Sequence, residues 1–151
     1  MSRASQKTVP DATRGPARVV AGIVGAVFLL VGVLGFVPFA TAQYGTLEWA
    51  GPGSHAMLLG VFRVSVLHNV VHLVFGAAGL AAALLPAAAR VYLIGGGAVY
   101  LVLWVYGMVV DPESAANFVP VNAPDNWLHL LLGTGMVALG LVVKRGRGQV
   151  P

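Results

Sequence analysis

The chain of 151 residues has no cysteine, so it can hold no disulfide framework, no thiolate metal site and no thiol redox couple. Charge is nearly as scarce, since Asp, Glu, Lys and Arg together make 9% of the residues against ~25% in an ordinary soluble domain. Hydrophobic residues make up 58% instead, and the mean hydropathy is +0.84. A chain so poor in charge has too little polar surface to be wetted all round, which identifies an integral membrane protein. The nine Lys and Arg give a formal +4. They sit beside apolar runs, where they set topology, and no nucleic-acid partner is expected.

Four runs approach the ~20 apolar residues that carry a helix across ~30 Å of hydrocarbon: 17–39, 66–85, 91–110 and 124–143. The first follows basic residues as a secretory signal would, but it is longer than the ~7–15 residues of a signal core, so it is read as a retained helix. Pro16, Pro86, Asp111-Pro112 and Asn122-Ala-Pro-Asp125 mark span ends, the last as a cap with an acid in the first helical turn. Arg3, Lys7, Arg14, Arg18, Arg90, Lys144, Arg145 and Arg147 fall on one side of four such spans, and Glu48, Asp111, Glu113 and Asp125 on the other.

The positive-inside rule then makes this a multi-pass protein of the bacterial cytoplasmic (inner) membrane with both termini cytoplasmic. Trp49, Trp104, Tyr106 and Trp127 cluster toward the outer face as an aromatic belt. The tails, 1–16 and 144–151, are polar and expected to be disordered. The outer loop 40–65 contains an apolar piece, Met57–Phe62, too short to span, which is expected at the interface or folded back onto the bundle. The expected fold is an all-α membrane domain over 17–143, four transmembrane helices in a bundle.

Sliding the sequence by 57 residues lays Asn69-Val-Val-His72-Leu-Val-Phe-Gly76 over Asn126-Trp-Leu-His129-Leu-Leu-Leu-Gly133. The shared pattern is Asn-x-x-His-Leu-x-x-Gly, and in the same register Ser65 falls on Asn122 and His68 on Asp125. Spans one-two and three-four then read as two like hairpins related by an internal repeat, with a parallel arrangement about an axis near the membrane normal. His68 and His72 share a helical face, as do Asp125 and His129, with Asn69 and Asn126 close to those faces. Polar groups within a span point into the bundle or a wet cavity. The candidate site is therefore His68, Asn69, His72, Asp125, Asn126 and His129, near the extracytoplasmic end.

Several chemistries fit that set. The first is structural, with Asn and His hydrogen-bonding between helices and Asp125 stabilising a helix N-terminus. The second is a transition-metal site using His68, His72 and His129 with Asp125 as fourth ligand or as the hydrogen-bond partner of a ligating histidine, or a haem held between His72 and His129. The third is a proton or small-solute path.

No Ser-His-Asp arrangement supports an enzyme, and Gly95-Gly-Gly97 lies inside a span where a nucleotide loop has no place. Gly22, Gly25 and Gly32, with Gly35 nearby, read as a close-packing stripe. His55 reads as solvated, and Arg63 as snorkelling, paired with Glu48 or Asp125, or wet. The partners expected are the lipid bilayer and, within it, other membrane proteins or a second copy.

The stretch Gly60-Val-Phe, Leu67-His-Asn-Val-Val-His-Leu with Gly76, and Asn122-Ala-Pro-Asp-Asn-Trp-Leu-His-Leu130 resembles the bacterial four-span membrane family known as domain of unknown function 4383. The resemblance covers roughly residues 17–143. It implies a four-helix integral membrane domain whose two Asn-x-x-His motifs are Asn69/His72 and Asn126/His129. In that family an Asn-Pro pair often precedes the first motif, where this chain has Ser65-Val66. No activity comes with the family.

Overall fold

A computed structural model describes residues 15–142. The tails expected over 1–16 and 144–151 lie outside these residues, apart from Gly15 and Pro16. The described chain is mostly helical: α1 spans Pro16–Leu34, α2 Val66–Ala82, α3 Pro86–Val109 and α4 Ala123–Val142. Between α1 and α2 lie three short strands, β1 (Thr41–Ala42), β2 (Met57–Leu58) and β3 (Phe62–Arg63). Helices α1, α3 and α4 are long and apolar enough to cross a membrane.

The 17-residue α2 is shorter. It stops before the end of its apolar run because residues 83–85 turn into Pro86, which opens α3 at its first helical position. Proline is favoured there because its missing N–H would have had no helical partner. For the same reason α3 begins at Pro86 and not at 91. Helix α1 ends at Leu34, short of residue 39, where turns precede and follow Pro38 and the Thr41 hydroxyl donates to the Leu34 carbonyl at 3.0 Å.

Helices α1 and α2 pack as one antiparallel hairpin, and α3 and α4 as another. Glycine sets both contacts. A Cβ on Gly25 would stand 2.7 Å from the Leu80 nitrogen and 2.8 Å from the Gly76 oxygen, and one on Gly97 would stand 2.8 Å from the Gly133 oxygen. The hairpins meet through a core of Ala17, Ala21 and Phe28 from α1, Ala89, Leu93 and Tyr100 from α3, and Met136 from α4. On the opposite face of α1, Val19, Ile23, Val27, Leu30 and Val33 recur every three or four residues and are exposed. A row of bare aliphatics on that scale suits acyl chains and not water.

The three strands form an antiparallel sheet in the order β1-β2-β3. Ala56, Leu58 and Val64 are buried there against Val31 and Leu34 of α1. The apolar piece Met57–Phe62 therefore folds back onto the bundle, and it does so as two strands joined by a turn in which Leu59 and Gly60 take φ of 52° and 70°. The sheet is the departure from the all-α expectation, and it caps the end of the bundle where α2 and α4 begin.

Candidate functional site

The site starts from the two helix N-termini under the cap. At α2 the Ser65 hydroxyl accepts the His68 backbone N–H at 3.1 Å. At α4 the Asn122 Oδ1 accepts the Asp125 N–H at 2.9 Å while Asp125 Oδ2 accepts the Asn122 N–H at 3.0 Å, a reciprocal capping box. The same carboxylate oxygen accepts the Arg63 backbone N–H at 3.0 Å, and Asn122 Nδ2 donates to the Val61 carbonyl at 2.8 Å. The first turn of α4 thus satisfies the open edge of β3, where an unpaired strand would otherwise present bare amides.

Arg63, 7% exposed, lies under this edge. Its Nε donates to the Ser54 carbonyl at 2.8 Å, and one terminal nitrogen donates to the Pro52 carbonyl at 2.5 Å and lies 3.2 Å from His55 Nδ1. The other stands 3.6 Å from the Glu113 carboxylate. Snorkelling and a wet side chain are both ruled out by that burial. The ionic partner is Glu113, whereas Asp125 is met by the backbone of Arg63. Glu113 is 74% exposed, so the ion pair contributes under ~1 kcal/mol and the carbonyl bonds of Arg63 matter more. His55 is exposed, but it touches Arg63 instead of standing alone.

Below the cap His68, Asn69, His72, Asp125, Asn126 and His129 are all buried. A run of rings links the histidines. His68 and His72 have centroids 4.6 Å apart, His72 packs on Phe28 at 5.5 Å, Phe28 stacks on Tyr100 at 5.3 Å, and Tyr100 meets His129 edge-on at 5.3 Å. His72 Nδ1 is within 3.0 Å of the His68 carbonyl of its own helix. Among the described residues no side-chain hydrogen bond joins one Asn-x-x-His motif to the other; the Phe28–Tyr100 stack stands between the hairpins there.

The carboxamides fill notches. A Cβ on Gly35 would collide with the Asn69 carboxamide, and one on Gly107 with that of Asn126. Four buried atoms of the two motifs have no protein hydrogen-bond partner: His68 Nδ1, Asn69 Nδ2, Asn126 Oδ1 and His129 Nδ1. Among the described residues no group of three or more His, Asp or Glu side chains is placed to hold a metal ion. Within the set His68, His72, His129 and Asp125, one Asp125 oxygen is taken up by two backbone amides.

The side-chain bonds that do tie helix to helix lie elsewhere. Arg18 Nε donates to the Ala83 carbonyl at 2.8 Å, Arg90 Nε to the Gly140 carbonyl at 2.9 Å, and the Tyr92 hydroxyl to the Phe75 carbonyl at 3.2 Å.

Long apolar helices, bare aliphatic faces and a buried polar cluster make a mostly helical protein compatible with a membrane. Its family is that of the Domain of unknown function (DUF4383): the family model matches residues 18–142, and the chain belongs to it. No curated protein and no solved structure gave a match. Phe28, Tyr100 and Gly107 were overlooked in the residue pattern alone, as was Glu113 as the partner of Arg63. A signal for several of them was present, because Arg18, Gly25, Leu29 and Gly35 recur as Arg90, Gly97, Leu101 and Gly107 at a constant offset of 72 residues, which also lays Phe28 on Tyr100.

Proposed function

We propose that the protein is a four-span inner-membrane bundle of two like hairpins, with both termini cytoplasmic, that holds water and a labile proton in the imidazole–carboxamide cluster beneath its outer cap. The observation that carries this reading is the set of four buried atoms without a protein partner. Interhelical bonds from Asn or His contribute ~0.6 kcal/mol each in membranes, whereas a buried polar atom left unpaired costs about 1–3 kcal/mol. A dry cluster would thus weaken the bundle, and the structural reading loses on magnitude. A guest that can both donate and accept suits two imidazoles and two carboxamides, and water does so.

Two offsets support the repeat. Asn69 and Asn126 lie 57 residues apart, while Arg18/Arg90, Gly25/Gly97 and Gly35/Gly107 lie 72 apart. The difference of 15 residues falls in the first outer loop, which carries the sheet. Contacts correspond across the two copies: Arg18–Ala83 with Arg90–Gly140, Gly35–Asn69 with Gly107–Asn126, and Phe28–His72 with Tyr100–His129.

The test uses near-isosteric apolar replacements. Asn69→Leu and His129→Phe are expected to leave the melting temperature in mild detergent unchanged or raised, because each removes a buried polar atom that bonds no protein group, Asn69 Nδ2 and His129 Nδ1. A fall of about 4 °C or more in each, the scale of a lost stabilising contact of roughly 1–2 kcal/mol at this size, would restore the structural reading. For the topology, a reporter fused after Pro151 is expected to be active in the cytoplasm, and an extracytoplasmic signal would overturn the four-span arrangement.

A further inference from the structure

The inner ends of the two hairpins carry a feature that the outer cluster does not use. Arg18 stands in the first turn of α1 and Arg90 in the second turn of α3, and both side chains are half-buried. Each spends its Nε on a carbonyl at the C-terminal end of the neighbouring helix, Ala83 at the cap of α2 and Gly140 in the last turn of α4. Those carbonyls belong to the negative pole of a helix, so the tether is favourable and it fixes the plane of each guanidinium.

The terminal nitrogens are not spent in the same way. Among the described residues neither arginine has a carboxylate within ion-pair distance, and no further hydrogen bond is made by either guanidinium. Exposed aliphatic residues adjoin each tether in the chain: Val19 follows Arg18 and Leu84 and Leu85 follow Ala83, while Val91 follows Arg90 and Leu141 follows Gly140. A held pair of N–H donors on elements that also carry exposed aliphatics matches a molecule with a phosphate at one end and acyl chains at the other. Free phosphate would use the fork and leave those aliphatics bare.

We propose that Arg18 and Arg90 form two equivalent sites for the phosphate of an anionic phospholipid at the inner boundary of the membrane. The proposal rests on the membrane-spanning reading of α1 and α3 and is independent of the hydrated cluster. The Arg fork is required, and not charge alone: lysine keeps the charge but cannot hold a carbonyl with one nitrogen while presenting two coplanar donors to a phosphate.

The experiment is native mass spectrometry of the full chain in mild detergent, supplied with phosphatidylglycerol or with phosphatidylcholine. Wild type is expected to retain two phosphatidylglycerol molecules and to bind phosphatidylcholine about tenfold or more weakly, because the quaternary ammonium of that headgroup cancels the charge of the same phosphodiester and repels the guanidinium beside it. The single variants Arg18→Lys and Arg90→Lys are each expected to retain one, and the double variant none.

Equal retention of the two lipids, or full retention by the double lysine variant, would overturn the proposal, the latter because diffuse charge would then suffice. Displacement of the lipid by millimolar inorganic phosphate would also overturn it in favour of a free-anion site. If the double variant fails to fold, the wild-type arms decide: a melting temperature raised more by phosphatidylglycerol than by phosphatidylcholine, and unmoved by inorganic phosphate, supports the sites, and equal shifts refute them.

Discussion

Gly97→Ala is expected to lower the melting temperature in detergent by roughly 10 °C, while Gly95→Ala, two residues away, leaves it unchanged or raises it. A methyl on Gly97 would lie 2.8 Å from the Gly133 oxygen and 2.9 Å from the Val137 nitrogen. Both are backbone atoms of α4, so no side-chain rotation relieves the contact and the two helices must separate along their length. Overpacking of this kind costs about 1–3 kcal/mol, and in a membrane the close approach permitted by small residues supplies much of the association itself. At about 2–4 °C per kcal/mol the upper part of that range gives the expected fall.

Gly95 is exposed, and a methyl there meets nothing within 4 Å. Its replacement adds only helix propensity, up to about 1 kcal/mol in the favourable direction. Gly25→Ala should behave like Gly97→Ala, since its methyl would strike the Leu80 nitrogen and the Gly76 oxygen in the other hairpin. Equal effects at 95 and 97 would show that helix propensity, and not the crossing of α3 with α4, governs the result.

Arg63→Ala is expected to be comparably damaging and to act on the cap. The substitution strips a donor from the Ser54 carbonyl and another from the Pro52 carbonyl, and it leaves a void beneath β3. Each buried carbonyl left without its charged donor costs about 1–3 kcal/mol, which for the two together is roughly 4 °C and upward at this size. The Asp125 contact survives because it runs through the Arg63 backbone N–H. Damage should therefore concentrate in the loop over 40–64, where limited proteolysis of the detergent-purified protein is expected to cut the variant well before wild type. Unchanged proteolysis and melting would mean that the sheet is held by Ala56, Leu58 and Val64 alone.

These two sites illustrate what the amino-acid order discloses. The helices were legible because prolines and caps punctuate long apolar runs: Pro16 and Pro86 open α1 and α3, and Asn122 with Asp125 opens α4. The burial of His68, Asn69, His72, Asn126 and His129 was legible too, since polar groups in such runs have nowhere else to go. The sheet was not, because each strand is two residues long and too short to establish an alternating pattern.

The place of Arg63 was hidden for a related reason: its partners are carbonyls of Ser54 and Pro52, which carry no side-chain signature. The engagement of Asp125 was hidden likewise, because the groups that meet one of its oxygens are the backbone amides of Arg63 and Asn122. His72 and His129 lie on different hairpins, and Phe28 and Tyr100 are the rings that stack between those hairpins. Neither aromatic stands out in an apolar span until the 72-residue offset aligns them.

The cluster itself offers the most direct test, because the chain has only four histidines and one of them, His55, is exposed and serves as a wet standard. With histidine rings isotope-labelled and the protein in bilayers, magnetisation transfer from water to each ring nitrogen is measured by solid-state nuclear magnetic resonance. The hydrated-cluster account expects His68 and His129 to receive magnetisation from water at a rate close to that of His55, despite being 6% and 5% exposed. Signals from His68 and His129 that stay dark while His55 builds up would contradict it.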